Sequence, residues 1–345
     1  MPAEWAPHSA IWLAWPYDET TFPGRVPQAE AAYINMIEAI HRSEAVQLLV
    51  KTTDVRECVK SRLMARGVDM SRVFFHMNDY VDVWFRDYGP TFVVNEAEQK
   101  LAMVHWRFNA WGGKYQELIK DTAIPAWMNA FMKIPRFEPG IVMEGGSFEV
   151  NGAGTVMTTV QCLLNKNRNP RLEKPAIEKR LHDFLGTRHA IWLGEGIVGD
   201  DTDGHIDDIA RFVNSTTIVC AREEDPQDEN HKLLEDNWRR LQAARDQDGR
   251  PFTLVKLPMP GVIGDAEGRP AQGEARQRRL PASYANFYIG NTVVLLPIFG
   301  HTNDAKAQGI LQEVFPGRKV VPIDARDLVF GLGAIHCISQ QQPSV

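Results

Sequence analysis

The chain has 345 residues, of which 44% are hydrophobic and 24% charged, with a formal net charge of -6. A large core is within reach at this length, and the absence of a basic excess argues against nucleic acid as the main partner. No apolar stretch approaches the roughly 20 residues of a membrane span, so a membrane partner is not expected.

The opening "MPAEWAPHSAIWLAWP" lacks a basic n-region followed by an apolar run, so no secretory leader is expected there. Within it, "SAIWLAW" reads as a strand. An amphipathic helix follows at 27–43, then an extended segment, "AVQLLVK", at 45–51. The stretch "TFVVNEAEQKLAMVHW" (91–106) has two apolar runs split by a short polar turn with Asn95, the pattern of a β-hairpin. The same pattern returns in "SFEVNGAGTVMTTV" (147–160), followed by a helix at 171–186 and a strand at 189–194. It returns again at 209–221, with a helix at 229–246 and a strand at 252–258. Residues 259–281, rich in Gly, Pro and charge, read as a long exposed loop. A last hairpin at 286–298 leads to a short helix at 302–317 and a strand at 319–324.

The hairpins start roughly 55–80 residues apart, which suggests a modular array of strand, strand, helix, strand. Four units are clear. A fifth can be assembled from the C-terminal "GAIHCISQQ" and the N-terminal "SAIWLAW", which closes a ring. No other segment reads as a linker, so one domain over 1–345 is expected.

Four polar clusters sit where these hairpins begin: "VWFRDYGP" (83–90), "VMEGGSFEV" (142–150), "DTDGHIDDIARF" (202–212) and "GLGAIHC" (331–337). Loops on a rigid scaffold commonly carry chemistry. The four cysteines, at 58, 162, 220 and 337, show no zinc spacing, and a reducing compartment, the cytoplasm, is expected. Cys337, flanked by His336 and two glycines, is a candidate nucleophile or a small buried hydrophobe. Cys58, on a helix, and Cys220, in a strand, read as buried and inert; Cys162 sits in a more polar setting. If residues 205–207 form a strand, His205 and Asp207 face one side, a proton carrier beside a carboxylate. Asp208 then faces away, into a structural salt bridge or hydrogen bond. Asp87 is either a site carboxylate or a partner of Arg86, and Glu144 either a site carboxylate or an exposed turn residue. Asp87, Glu144, His205 and Asp207 also form a donor set for Mn or Fe, a reading that leaves Cys337 without a role.

Taken in order, "WFRDYGP", "MEGGSFEV", "DGHIDD" and "GAIHC" resemble the agmatine deiminase family, grouped with the Porphyromonas-type peptidylarginine deiminases among the guanidino-group-modifying enzymes. The resemblance extends through "MPAEWAPH", "CLLNKNRNP" and "ISQQQP", and so over nearly the whole chain. It implies the pentein fold, a five-bladed α/β propeller of ββαβ units with pseudo-fivefold symmetry. It implies Cys337 as nucleophile, His205 as general acid and base, Asp87 and Asp207 as the pair holding a guanidinium, Glu144 as a third carboxylate and Trp84 as a lining aromatic. The implied reaction converts agmatine to N-carbamoylputrescine and ammonia through a covalent cysteine intermediate, with no metal or organic cofactor. A small cationic guanidino substrate is thus the expected partner, in a homodimer. Peptidylarginine and free arginine are alternative substrates, and a non-catalytic pentein that only binds is a further alternative. Two departures, Phe85 for a small residue and Leu332-Gly333-Ala334 in a glycine-rich stretch, bear on the far end of the substrate.

Overall fold

The protein is described by a computed structural model covering residues 1–264 and 279–345. Each of the four hairpins forms as read. Thr91–Asn95 pairs antiparallel with Lys100–Val104, and Phe148–Val150 with Thr155–Thr159. Ala210–Asn214 pairs with Thr217–Arg222, and Tyr288–Ile289 with Val293–Ile298. The second strand of each then takes a parallel partner: Arg136–Phe137, His189–Leu193, Thr253–Pro258 and Lys319–Asp324 in turn. A parallel neighbour cannot be reached by a tight turn, and the helices between these strands supply the crossover. In the third blade that helix is Lys174–Leu185, closed by Gly186 in the left-handed conformation at φ 70°.

The first blade joins the two ends of the chain. Ser339–Pro343 pairs antiparallel with His8–Ala14, which pairs in parallel with Ala45–Val50. Among the described residues the result is five sheets, one per blade, the architecture of an α/β propeller. First strands of neighbouring blades touch: Ser339–Pro343 against Thr91–Asn95, and Phe148–Val150 against Ala210–Asn214.

Three features differ from expectation. The first blade carries an added strand, Val73–Met77, parallel to Ala45–Val50 and preceded by the helix Thr53–Ala65. The second blade crosses over through the helices Gln116–Ala123 and Ile124–Met132 to a two-residue strand, too short to leave a periodic signature. Cys58, read as buried, is exposed on Thr53–Ala65, because Val59 and Leu63 are the residues that helix buries. The loop read at 259–281 lies largely outside the described residues. Its described ends are drawn inward, with Met259 and Leu280 buried and Gly264 bridged to Arg279.

Buried charge ties the blades together. Arg211, fully buried, donates to Glu4 at 2.9 Å, to Glu149 and to the carbonyls of Ala285 and Phe287. Desolvating such a cation costs several kcal/mol, and good pairing offsets that only when most donors are used. Among the described residues, no helix is long and apolar enough to cross a membrane.

Candidate active site

The residues singled out in the sequence lie just ahead of the first strands of four blades. The turn Phe85–Tyr88 sets Asp87. Its Oδ2 accepts the Trp111 indole N–H at 2.9 Å, and its Oδ1 accepts the Gly146 amide at 3.0 Å. Arg86 does not pair with Asp87. It turns to the tail instead: its amide donates to the Cys337 carbonyl at 3.1 Å and its guanidinium to Gln341 at 2.7 Å.

His205 and Asp207 do not lie in a strand. Ile206–Asp208 is a single 3-10 turn with His205 at its head. The turn still sends both side chains to one place, which Gly146 marks. A Cβ at Gly146 would lie 2.6 Å from His205 Nδ1, 2.9 Å from Asp87 Oδ1 and 3.1 Å from Asp207 Oδ2. A residue without a side chain is what lets three polar groups meet there.

Asp207 Oδ2 lies 3.9 Å from Cys337 Sγ and 2.7 Å from His336 Nδ1. The other side of the sulfur meets the Asn286 amide nitrogen at 3.1 Å, which also bonds Asp208 at 2.9 Å. Asp208 therefore makes the structural hydrogen bond expected of it, but on the cysteine's side of the site. Burial, then Asp207, Asp208 and Asp87, push the Cys337 thiol well above its ordinary range. Without a cation beside it the sulfur is protonated.

The His205 ring lies between two acids. Nδ1 is 3.7 Å from Asp87 Oδ1, and Nε2 is 3.8 Å from Glu144 Oε2. Neither ring nitrogen makes a hydrogen bond to the described residues. Burial works against the imidazolium, but Asp87, Cys162 and Glu144 outweigh it and hold His205 well above its ordinary range. Asp87 is raised to about 6, by burial first and by Asp207 and Glu144 in addition. Glu144 is no exposed turn residue. It is fully buried, and although burial alone would raise its pKa, Arg168 at 2.7 Å lowers it. It stands one layer behind His205, not beside the sulfur.

Cys337, Asp87 and Trp84 line an open-mouthed cavity of about 130 Å³, with Trp111 on its wall. Asp18, Asp82, Glu117 and Asp201 line it as well, and the described residues that line it include no lysine, arginine or histidine. Trp84 is held by an indole bond to Asp82 at 3.0 Å and packs flat on the tail, where a Cβ at Gly333 would lie 2.3 Å from its ring.

Sequence reasoning missed Trp111, Asn286, Arg168 and Asp82. Trp111 carried one signal, the glycine pair after it. Ala110 and Trp111 both sit at φ 53°, a left-handed conformation rare outside glycine, and this aims the indole at Asp87. Asn286 and Arg168 are ordinary residue types that nothing in the pattern distinguishes.

This fold and this convergence of a thiol, an imidazole and acids define a pentein of the guanidino-group-modifying class. Residues 1–343 match the model of the Porphyromonas-type peptidyl-arginine deiminase family, and the chain belongs to that family. It is 38% identical to the agmatine deiminase of Pseudomonas fluorescens (strain SBW25), over 100% of this chain and 95% of that one. It is 37% identical to the agmatine deiminase of Medicago truncatula, over 100% and 96%. Among solved structures, the agmatine deiminase of Enterococcus faecalis superposes with a TM-score of 0.88 at 32% identity, covering 100% of this chain and 95% of that one. A cysteine-to-serine variant of the agmatine deiminase of C. jejuni, with substrate bound, gives 0.85 at 30%, covering 99% and 95%. An amidinotransferase from Microseira wollei, at 10% identity and TM-score 0.51, shares the fold.

Proposed function

We propose that this protein hydrolyses agmatine to N-carbamoylputrescine and ammonia, with Cys337 as the nucleophile. The observation that carries the choice of substrate is the cavity's charge. Among the described residues its lining offers Asp18, Asp82, Asp87, Glu117 and Asp201 and no basic side chain. Agmatine is cationic at both ends and suits such walls. The α-carboxylate of free arginine would enter among these like charges.

In this reading Asp87 and Asp207 take the guanidinium by paired N–H···O bonds, fixing its plane. The bound charge offsets the acids around Cys337, and the thiol gives up its proton to solvent. The thiolate attacks the central carbon and a tetrahedral carbon forms. His205, held as imidazolium, delivers its proton to one NH₂ group, which leaves as ammonia. The remaining thiouronium is attacked by water, from which His205 takes a proton. The thiolate departs and a ureido group is released. Glu144, fixed by Arg168, keeps His205 charged and oriented.

The pairing of Ser339–Pro343 with His8–Ala14 supports reading residues 1–345 as one domain. The substrate places the protein in polyamine metabolism, and the cysteine pattern suits the cytoplasm.

The test is incubation with agmatine and, separately, arginine, with assay of ammonia and ureido product. Turnover of agmatine well above arginine, abolished in Cys337→Ala, is expected. Preference for arginine, or turnover that persists without Cys337, overturns the reading.

A further inference from the structure

Behind His205, on the side of the ring away from Asp87, lies a thiol the deimination chemistry does not use. Cys162 is fully buried, with its Sγ 4.0 Å from Glu144 Oε2. His205 Nε2 lies 3.8 Å from that same oxygen, and the three donor atoms are all within 4.8 Å of one another. Glu144 Oε1 is taken by Arg168, which leaves Oε2 facing the sulfur and the ring. Nε2, in a side chain only 1% exposed, has no hydrogen-bond partner among the described residues.

We propose that Glu144, Cys162 and His205 form an inhibitory binding site for a thiophilic divalent cation of the zinc class. Thiolate, imidazole and carboxylate are the ligands such a cation selects. Tetrahedral zinc, with bonds of about 2.3 Å to sulfur and about 2.0–2.2 Å to nitrogen and oxygen, spaces its donors roughly 3.3–3.7 Å apart. The 3.8 and 4.0 Å separations need only a few tenths of an ångström of closure. Charge also balances. At rest the cluster holds a carboxylate, a thiol and an imidazolium, a sum of zero. With the cation bound it holds a carboxylate, a thiolate, a neutral imidazole and two positive charges, again zero. One dication enters, and two protons leave, one from Cys162 and one from Nε2. The neighbouring Arg168, paired with Asp203, is neutral as a pair in both states.

This donor set is not the Asp87, Glu144, His205 and Asp207 set considered from sequence, because Asp87 faces the opposite ring nitrogen. A cation on Nε2 leaves His205 a neutral imidazole whose one proton, on Nδ1 facing Asp87, is a far weaker acid than that of the imidazolium, yet leaves the cavity beside Asp87 and Cys337 open. Inhibition therefore falls on kcat and spares KM.

The test uses the full chain with one equivalent of Zn²⁺ after prolonged preincubation, since the site is buried. Turnover is expected to fall at least about tenfold and to return with EDTA. Cys337→Ala, which lacks the nucleophile, is expected to bind Zn²⁺ as tightly as the parent, with a sulfur ligand in its X-ray absorption spectrum. Cys162→Ser, if folded by circular dichroism, is expected to bind at least about tenfold more weakly, as loss of even an outer partner of a metal does. Anomalous diffraction at the zinc edge from the parent protein places the ion directly, whatever the variants do. Density among Glu144, Cys162 and His205 supports the proposal. Density on Cys337 or the surface alone, loss of the sulfur signal in Cys337→Ala, or undiminished binding by Cys162→Ser overturns it.

Discussion

Cys337 Sγ and Asp207 Oδ2 lie 3.9 Å apart, and the described residues lining the cavity beside the sulfur include no basic side chain. A thiol so placed resists ionisation until a cation arrives. The pH dependence of Cys337 alkylation by iodoacetamide should shift to lower pH when a millimolar alkylguanidinium is present. The same ionisation with and without the ligand would sink this account of how the sulfur is activated.

Gly146 leaves no room for a methyl group. In Gly146→Ala the new carbon would fall 2.6 Å from His205 Nδ1 and 2.9 Å from Asp87 Oδ1. Displacing catalytic groups by about 1 Å can cost about 10²-fold, so kcat/KM should fall by roughly that factor. Circular dichroism should show the fold retained. A variant with near-parental turnover would mean that these groups do not act together.

Leu332 lines the cavity at φ 78°, where a branched side chain is strained. Such a conformation costs of order 1–3 kcal/mol. Leu332→Gly relieves that strain while removing a partly buried side chain, so the melting temperature should change little. The apolar wall is lost with it, and KM for agmatine should rise several-fold with kcat nearly unchanged. An unchanged KM would show that the side chain does not touch the substrate.

Stability should carry a pH signature from Asp82. Burial lifts its carboxyl to about 7, although Val83 and Thr21 donate to it. Between that value and its unfolded pKa, about 3.9, the folded state keeps a proton the unfolded state has released. Unfolding free energy therefore rises as pH falls through this window and drops as pH climbs. Asp82→Asn removes the term. Its melting temperature should gain more at pH 8 than at pH 5, as read by calorimetry, and an equal change at both would count against the assignment.

Much of the fold was legible because turns and helices announce themselves locally. The Asn95, Asn151, Asn214 and Asn291 turns marked all four hairpins, and the ring closure followed from leftover strands at the two ends. Val73–Met77 escaped because it is a short edge strand with Phe74 and Met77 exposed, so no alternation reports it. The site was legible through its chemically distinctive residues. Asp87, His205, Asp207 and Cys337 do converge, while Glu144 stands behind them. The geometry of His205 and Asp207 was not legible, because a strand and a 3-10 turn both send residues 205 and 207 to one place. Asn286, Arg168 and Trp111 act through contacts with residues distant in the chain, Cys337, Glu144 and Asp87, which one-dimensional pattern does not carry.

Arg86 binds the tail through its amide and its guanidinium while the next residue along, Asp87, faces the cavity. The position of the sulfur relative to that carboxylate is thus set by a clamp one residue long, closed on the last strand. Gentle loosening of that strand should separate the two before any blade melts. In rising denaturant, inactivation should then precede the loss of helical signal, so that this enzyme falls silent while still looking folded.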